Sequence, residues 1–499
     1  MFLFLVKRFY FCFRNKILNT YILSKSVKYK QRGYATVLTL VMFSVLGLSL
    51  LAMFNSGQVV THKLKLQNAV DAASYSTAVV VSRELNFMAY TNRAMIVNQV
   101  AIGQMVGLVS WQKMLIEATE NLSDVADLVS WIPIIGQVIQ GYFNAFEIAV
   151  SVSEPIIEGM STLLVYEANA VIRALSQAQF LLHNATKGLI QSTFHDVLKD
   201  NDPDAVMSAI GNANLLSFGF QDVEAFAKRT EEANTGTSDL GRYDDFASVV
   251  KESGDDFMKG RSYEWIHPPA IPLFFEAWID KKGGNEFDRK TQNGKYVWEW
   301  SAMDTVSLWT RTFSWDPKDF GWQSPEETLP IGWGAAHTSN QSGNYSSYNS
   351  NSKWDNAREN SMSAGFAVNE YGDNKLGGTS GLQRFFYLGD DNQNPIPPSF
   401  IAVAAKDAGS VRTWKEIVES NGGQVGPRFD IEEKGTLKSS KMYSISKAEP
   451  YYSRSYDLDA FRREDLQEEF GNLFNPYWQA RLVAISPAER TQILLTIPN

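Results

Sequence analysis

From Gly33 to Thr61 the chain carries no charged residue, and within that run Tyr34–Phe54 is almost wholly apolar. Only Thr36, Thr39, Ser44, Gly47 and Ser49 interrupt it, and hydroxyl side chains can bond back to their own helix inside lipid. Twenty-one residues at about 1.5 Å each span about 30 Å, the thickness of a bilayer's hydrocarbon core. Before the run stand Lys7, Arg8, Arg14, Lys16, Lys25, Lys28, Lys30 and Arg32 without a single acid; after it the first charge is Lys63. That asymmetry orients the N-terminus toward the cytoplasm. A cleaved signal would have a shorter apolar part, about 7–15 residues, ending in a small-residue cleavage site. The expectation is therefore one uncleaved helix over 34–54, a basic cytoplasmic segment over 1–33, and the remaining mass across the membrane.

The same charges define the body. Net charge is -9 over 499 residues, and the eight cations of the tip leave -17 on residues 34–499. An acidic body offers no basic surface for a phosphate backbone, so nucleic acid is not an expected partner. The one cysteine, Cys12, lies in the basic tip, which excludes a disulfide framework within one chain and a cysteine-based zinc site.

Residues 55–200 read as long helices. No proline occurs between Gln58 and Lys113, and Leu64, Ala78, Leu85, Met95 and Ile102 mark an apolar seam among small residues that allow close helix approach. In Val125–Val152, Pro133, Gln137, Gln140, Asn144 and Glu147 form one polar stripe, which predicts a soluble helix or helical hairpin rather than a second span. Met160–Gln191 reads as amphipathic, with Leu164, Ala168, Val171, Leu175, Ala178 and Leu182 on one side. Residues 201–260 are acidic and looser, a connecting region. Residues 261–499 hold eleven of the 13 tryptophans. There, runs such as Tyr296–Trp300, Phe400–Ala404 and Arg481–Ile485 alternate with turn formers, the pattern of strands in an aromatic-rich α+β domain. Thr338–Ser352, rich in Ser, Asn and Gly, reads as a flexible loop. The predicted class is α+β: a transmembrane helix continuing into a long helical region, then a mixed β-rich domain.

Chemistry-bearing motifs are scarce. The sequence has no GxxxxGK[ST], HExxH or GxSxG. His62, His183, His195, His267 and His337 are all more than four residues apart, so none makes a helical metal pair. Asp390–Asn394 opens like a calcium loop, but Pro395 replaces the turn glycine and Ile401 the bidentate Glu; Asp200–Asp204 fails at Ala205 and Gly211. No D-x-S-x-S triplet of a metal-ion-dependent adhesion site occurs. No catalytic residue, cofactor or metal is expected. The late aromatics could stack on sugar rings, though such residues more often form a core and its rim.

Three stretches carry a resemblance. Lys30-Gln31-Arg32-Gly33 precedes the anchor, and Leu66-Gln67-Asn68-Ala69-Val70-Asp71-Ala72-Ala73 and Leu85–Met95 (LNFMAYTNRAM) follow it; near the end stands Asn475-Pro476-Tyr477-Trp478-Gln479-Ala480-Arg481-Leu482. These resemble TadG-like proteins of the tight-adherence (Flp) pilus system. The resemblance implies a cell-adhesion-related pilus-assembly component in the inner membrane of a Gram-negative bacterium, with its body in the periplasm. Its partners would be other Tad proteins or the pilus itself. Gly33, followed by Tyr34, sits where a prepilin peptidase would cut, although Leu38 stands where pilins carry Glu. The metal-dependent adhesion domain of some relatives is not carried over.

Asn68, Asp71 and Tyr75 share one helical face. Asp71 suits either a helix contact, together with Leu66, Gln67, Asn68, Ala72 and Ala73, or a solvated face. Pro476 is expected to begin an edge or terminal strand, and Arg481 to pair with acid from Asp465–Glu469. The expected function is non-enzymatic, through protein–protein contacts. The alternatives are a membrane-tethered periplasmic hydrolase, which would need two carboxylates converging in one cleft, and a glycan-binding adhesin.

Overall fold

No proline breaks the chain between Tyr34 and Val129, and one helix of 96 residues, α1, occupies that entire stretch. At about 1.5 Å per residue it is about 140 Å long. The computed structural model describes residues 34–129, 135–267, 274–338, 355–370, 375–377, 381–389, 396–411, 441–455, 463 and 465–496. Helix α2 (Ile135–Asn201) returns antiparallel along α1: Glu84 meets His183, and Thr91 and Asn92 meet Gln179. Of the helix or helical hairpin expected over Val125–Val152, the described residues show the end of α1 and the start of α2, while residues 130–134 and the side chains of the polar stripe lie outside the described residues.

The inner face of α2 agrees only in part with the expected one: Ala168 and Leu175 pack against the core. Leu164 and Val171 are exposed, and the buried set runs one residue later: Val165, Ile172, Ile190, Phe194 and Leu198, joined by Ser161, Asn169, Ser176, Gln179, His183 and Thr186. Facing α2, helix α1 presents Glu84, Thr91 and Asn92, so polar partners are what fit there. Leu64 is likewise exposed, whereas Ala78, Leu85, Met95 and Ile102 of the same seam are buried.

Two sheets pack along α1. The lower one has the order β1 (Ala205–Met207), β9 (Phe400–Asp407), β10 (Lys441–Tyr452), β11 (Trp478–Leu482), all antiparallel. The upper one runs β3 (Tyr263–Ile266), β4 (Phe275–Gln292), β5 (Lys295–Ser314), with β7 (Glu326–His337) and the short β6 (Gly321–Trp322) also paired to β5. Asn293 and Gly294, both with positive φ, turn the long β4–β5 hairpin. A ribbon of β2 (Ala227–Arg229) and β8 (Phe386–Leu388) forms a third, separate sheet. The expected strands at Tyr296–Trp300 and Phe400–Ala404 are present, but β11 ends at Leu482, so Arg481–Ile485 is only partly strand. Residues 201–260 are not loose. They fold into β1, α3 (Ala209–Ser217), β2 and α4 (Leu240–Glu252), and bury Phe218, Phe226, Tyr243 and Phe246 in the cores. Those aromatics repay the ordering of an otherwise acidic stretch. The loop expected at 338–352 falls, apart from Thr338, outside the described residues.

Helix and upper sheet touch backbone to backbone. A Cβ on Gly334 of β7 would lie 2.3 Å from the Ser110 carbonyl oxygen, so only glycine allows α1 this close. The opposite sheet face is covered by α5 (Ser361–Glu370), with Trp333 stacked on Phe366. Helix α6 (Pro487–Thr496) brings Ile493 onto Val403 of the lower sheet.

Candidate functional site

Among the described residues nothing covers the apolar part of α1: its most apolar 18-residue window is 0% buried. The hydroxyls turn inward, with Ser44 and Ser49 donating to the carbonyls of Leu40 and Val45 at 2.8 Å. The result is a surface of Val37, Leu40, Phe43 and Leu46 suited to lipid. Tyr34 is the first described residue of the helix; Gly33 lies outside the described residues. Leu38 is exposed on the same surface.

About three helical turns above the apolar stretch, α1 enters the body. Leu66, Ala69, Val70 and Ala73 are fully buried in the lower core with Phe194, Leu198 and Phe400. Gln67 binds the sheet: its amide donates to the Ile445 carbonyl of β10 and to Asp71, each at 3.0 Å. Lys63 reaches the same strand through the Tyr443 carbonyl and the Ser444 hydroxyl. Asn68 and Tyr75 face outward and Ala72 is half-buried. Leu66, Gln67 and Ala73 therefore make a contact within the chain, while Asn68, Asp71 and Tyr75 form its outer face.

The second half of the element grips the chain's far end. Asn86 treats Trp478 as a strand neighbour: its Nδ2 donates to the Trp478 carbonyl (2.8 Å) and its Oδ1 accepts from the Trp478 amide (2.9 Å). Both groups are on the outer edge of β11, which would otherwise be unpaired. Asn92, fully buried, donates to the carbonyls of Leu473 (2.8 Å) and Phe386 (2.9 Å) and accepts from Gln179 of α2 (2.7 Å). Arg93 donates to Asn475 Oδ1. Two of the stretches that carry the resemblance, Leu85–Met95 and Asn475–Leu482, are thus in direct contact although almost 400 residues apart.

Within the C-terminal element, Trp478 is buried edge-on against Phe226 and Tyr452, and its indole donates to the Asn472 carbonyl (2.9 Å). Pro476 lies two residues before edge strand β11, and Tyr477 packs edge-on against Tyr452. Glu469 gathers the turn: it accepts from Tyr452, Arg454, Asn472 and Asn475. Burial works to raise its pKa, but these bonds outweigh burial and hold it down to about 2. Arg481 does not reach this acidic segment. It binds Glu449 (2.6 Å), its direct cross-strand neighbour on β10, because Glu469 is engaged by Tyr452 and Arg454, and Asp465 by Arg463.

Sequence reasoning missed the buried polar face of α2, although Asn169, Ser176, Gln179, His183 and Thr186 recur at helical spacing. It also missed an open cavity of about 690 Å³ beside α2, lined by Arg229 and Arg384. Among the described residues no group of three His, Cys, Asp or Glu side chains could hold a metal ion.

Residues 33–80 match the family model Tad, described as putative Flp pilus-assembly TadE/G-like. No curated protein and no solved structure matches the chain. The matched residues run from the anchor through the buried Leu66–Ala73 contact, so this chain carries a TadE/G-like segment of Flp pilus assembly.

Proposed function

We propose that the protein is a non-enzymatic, membrane-anchored component of Tad/Flp pilus assembly, working through protein–protein contacts made by a periplasmic body. One observation carries the reading: the TadE/G-like match at 33–80 lies on a single unbroken helix that is bare over its apolar part and enclosed above it. Such a helix couples whatever the membrane segment meets to the body without a hinge. The N-terminus is cytoplasmic and the anchor crosses the inner membrane of a Gram-negative cell once, in keeping with the basic tip. Other Tad proteins or the pilus are the partners, and Asn68, Asp71, Ala72 and Tyr75 form the nearest outward helix face for them. A clean deletion should abolish piliation and adherence; normal piliation would overturn the proposal. Mass spectrometry of the mature N-terminus, from membranes and from sheared pili, tests cleavage between Gly33 and Tyr34.

A glycan-binding role has one observation in its favour. At the end of β5, Trp315 is 55% exposed and Phe320 66%, and both pack edge-on with Phe313. Exposed aromatic faces suit the apolar faces of sugar rings. Binding on a glycan array that Trp315→Ala abolishes would support this role, and an array without hits would remove it.

A further inference from the structure

The cavity beside α2 is closed on one side by Phe180, His183 and Lys187 of that helix and on the other by the β2–β8 ribbon. Arg229 ends β2, and Arg384 lies on the chain just before β8. Both guanidinium groups line the cavity, and each is fixed by neutral oxygens alone. Arg384 donates through Nε to the Thr230 carbonyl (2.7 Å). Arg229 donates through Nη2 to the Ser176 hydroxyl (3.3 Å) and lies over the Phe180 ring at 4.7 Å. The Nε of Arg229 is buried with no acceptor. A buried donor without an acceptor is costly, and here it belongs to a charged group.

The carboxylates of the cavity wall are engaged elsewhere. Glu224 holds Lys187 at 2.8 Å. Asp239 accepts from the Glu231 backbone amide (2.7 Å) and the Tyr387 hydroxyl (3.1 Å), with Arg242 at 3.8 Å. Glu231 accepts from the Thr237 hydroxyl at 3.3 Å. Lys228 adds a further, exposed cation at the cavity's edge. Burial and the neighbouring charge of Arg384 both lower the proton affinity of Arg229, which stays charged all the same. In a body of strongly negative charge, two like-charged forks thus line one cavity with most of their donors unused among the described residues. Paired forks of this kind match the oxygens of carboxylate and phosphate groups.

We propose that Arg229 and Arg384 form a binding site for an oxyanion, a carboxylate or phosphate group of a ligand entering the cavity from solvent. The bound anion supplies the acceptors that the fold withholds and relieves the repulsion between the two cations. The proposal is independent of the pilus-assembly reading.

The test uses the full chain in detergent micelles at pH 7, following thermal unfolding against added phosphate, acetate or chloride at matched ionic strength. Phosphate or acetate should raise the unfolding temperature while chloride does not. Arg229→Gln and Arg384→Gln should raise the half-saturating concentration at least tenfold, and Arg384→Gln in chloride should unfold no lower than the unsubstituted chain. A stronger response to phosphate assigns a phosphate ligand, and a stronger response to acetate a carboxylate. No oxyanion-specific response, or one that survives both substitutions, overturns the site. Should Arg384→Gln fail to fold, Arg384→Lys keeps the charge without the fork. Weakened anion binding in a stable Arg384→Lys chain supports the proposal, and unchanged binding refutes it.

Discussion

Helix α1 is fastened at two levels by opposite chemistries. At Ser110 the fastener is ionic. Arg261 forks onto both oxygens of Asp304 (2.8 and 2.6 Å), Lys281 binds the same carboxylate, and the Ser110 hydroxyl donates to it at 2.7 Å. At Asn86 and Asn92 the fastener is neutral: side-chain amides reading the backbone of Trp478, Leu473 and Phe386. The ionic cluster ties the helix to a hairpin whose strands are adjacent in sequence. The amides tie it to Phe386 of β8 and to Leu473 and Trp478 near the end of the sequence. A buried carboxylate between two cations tolerates no missing member, because what remains is an unpaired charge. A lost amide leaves carbonyls unsatisfied, a smaller and more local cost. The upper level should therefore decide whether the body folds, and the lower level whether the C-terminal element stays docked.

The largest effect is expected from Asp304→Asn. Burial acts to raise the Asp304 pKa, but the charges of Arg261 and Lys281 prevail and keep the group ionised. Removing that charge should cost about 3–5 kcal/mol, measured by denaturant unfolding. Gly283→Ala attacks the same cluster sterically, since its Cβ would come within 2.1 Å of Asp304 Oδ1. A loss below about 1 kcal/mol in both variants would show that the ionic level is not the stronger one.

Asn92→Ala should come next, at about 1–3 kcal/mol, since the carbonyls of Leu473 and Phe386 and the amide of Gln179 lose a buried partner together. Its signature is local. Hydrogen exchange should quicken at 473–482 and stay unchanged in the β4–β5 hairpin. Equal quickening in both regions would mean that the two levels open as one unit.

How much of this was legible in the sequence follows the same division. The bare helix was readable because lipid demands one uniform composition, and Tyr34–Phe54 meets it without any tertiary context. The strands at Tyr296–Trp300 and Phe400–Ala404 announced themselves by aromatic and β-branched runs. The inner face of α2 was not. Its buried positions mix Val165 and Ile172 with Asn169, Ser176, Gln179 and His183, of which Gln179 and His183 bond polar groups on α1, so Leu164 and Val171 of the apolar stripe lie exposed while Ala168 and Leu175 still pack against the core. The Arg229–Arg384 cavity was invisible because strand pairing brings together residues 155 positions apart. Trp478 was noticed by resemblance, but its partner Asn86 follows only from the fold.

Lowering the pH should loosen the lower level through Glu469. Glu469 has a folded-state pKa of about 2 against an ordinary value of 4.5, so the stabilisation it provides is complete above pH 4.5 and fades as pH falls toward 2. Exchange at 465–482 should quicken across that window. In Glu469→Gln the region should already be loosened at pH 7, and the further response to acid should shrink.

The smallest effect is expected from Arg481→Ala. Arg481 is 52% exposed, so its bond to Glu449 should contribute no more than about 1 kcal/mol. Its value lies in deciding which acid it serves. The register of β10 and β11 sets Glu449 directly opposite Arg481, and opposed charges on one sheet face couple. A double-mutant cycle of Arg481→Ala with Glu449→Ala should show a nonzero interaction energy, whereas the cycle with Glu469→Gln should be additive. Coupling to Glu469 instead would place β11 closer to the Asp465–Glu469 turn than the lower sheet allows, and the amide grip of Asn86 on Trp478 would have to be redrawn with it.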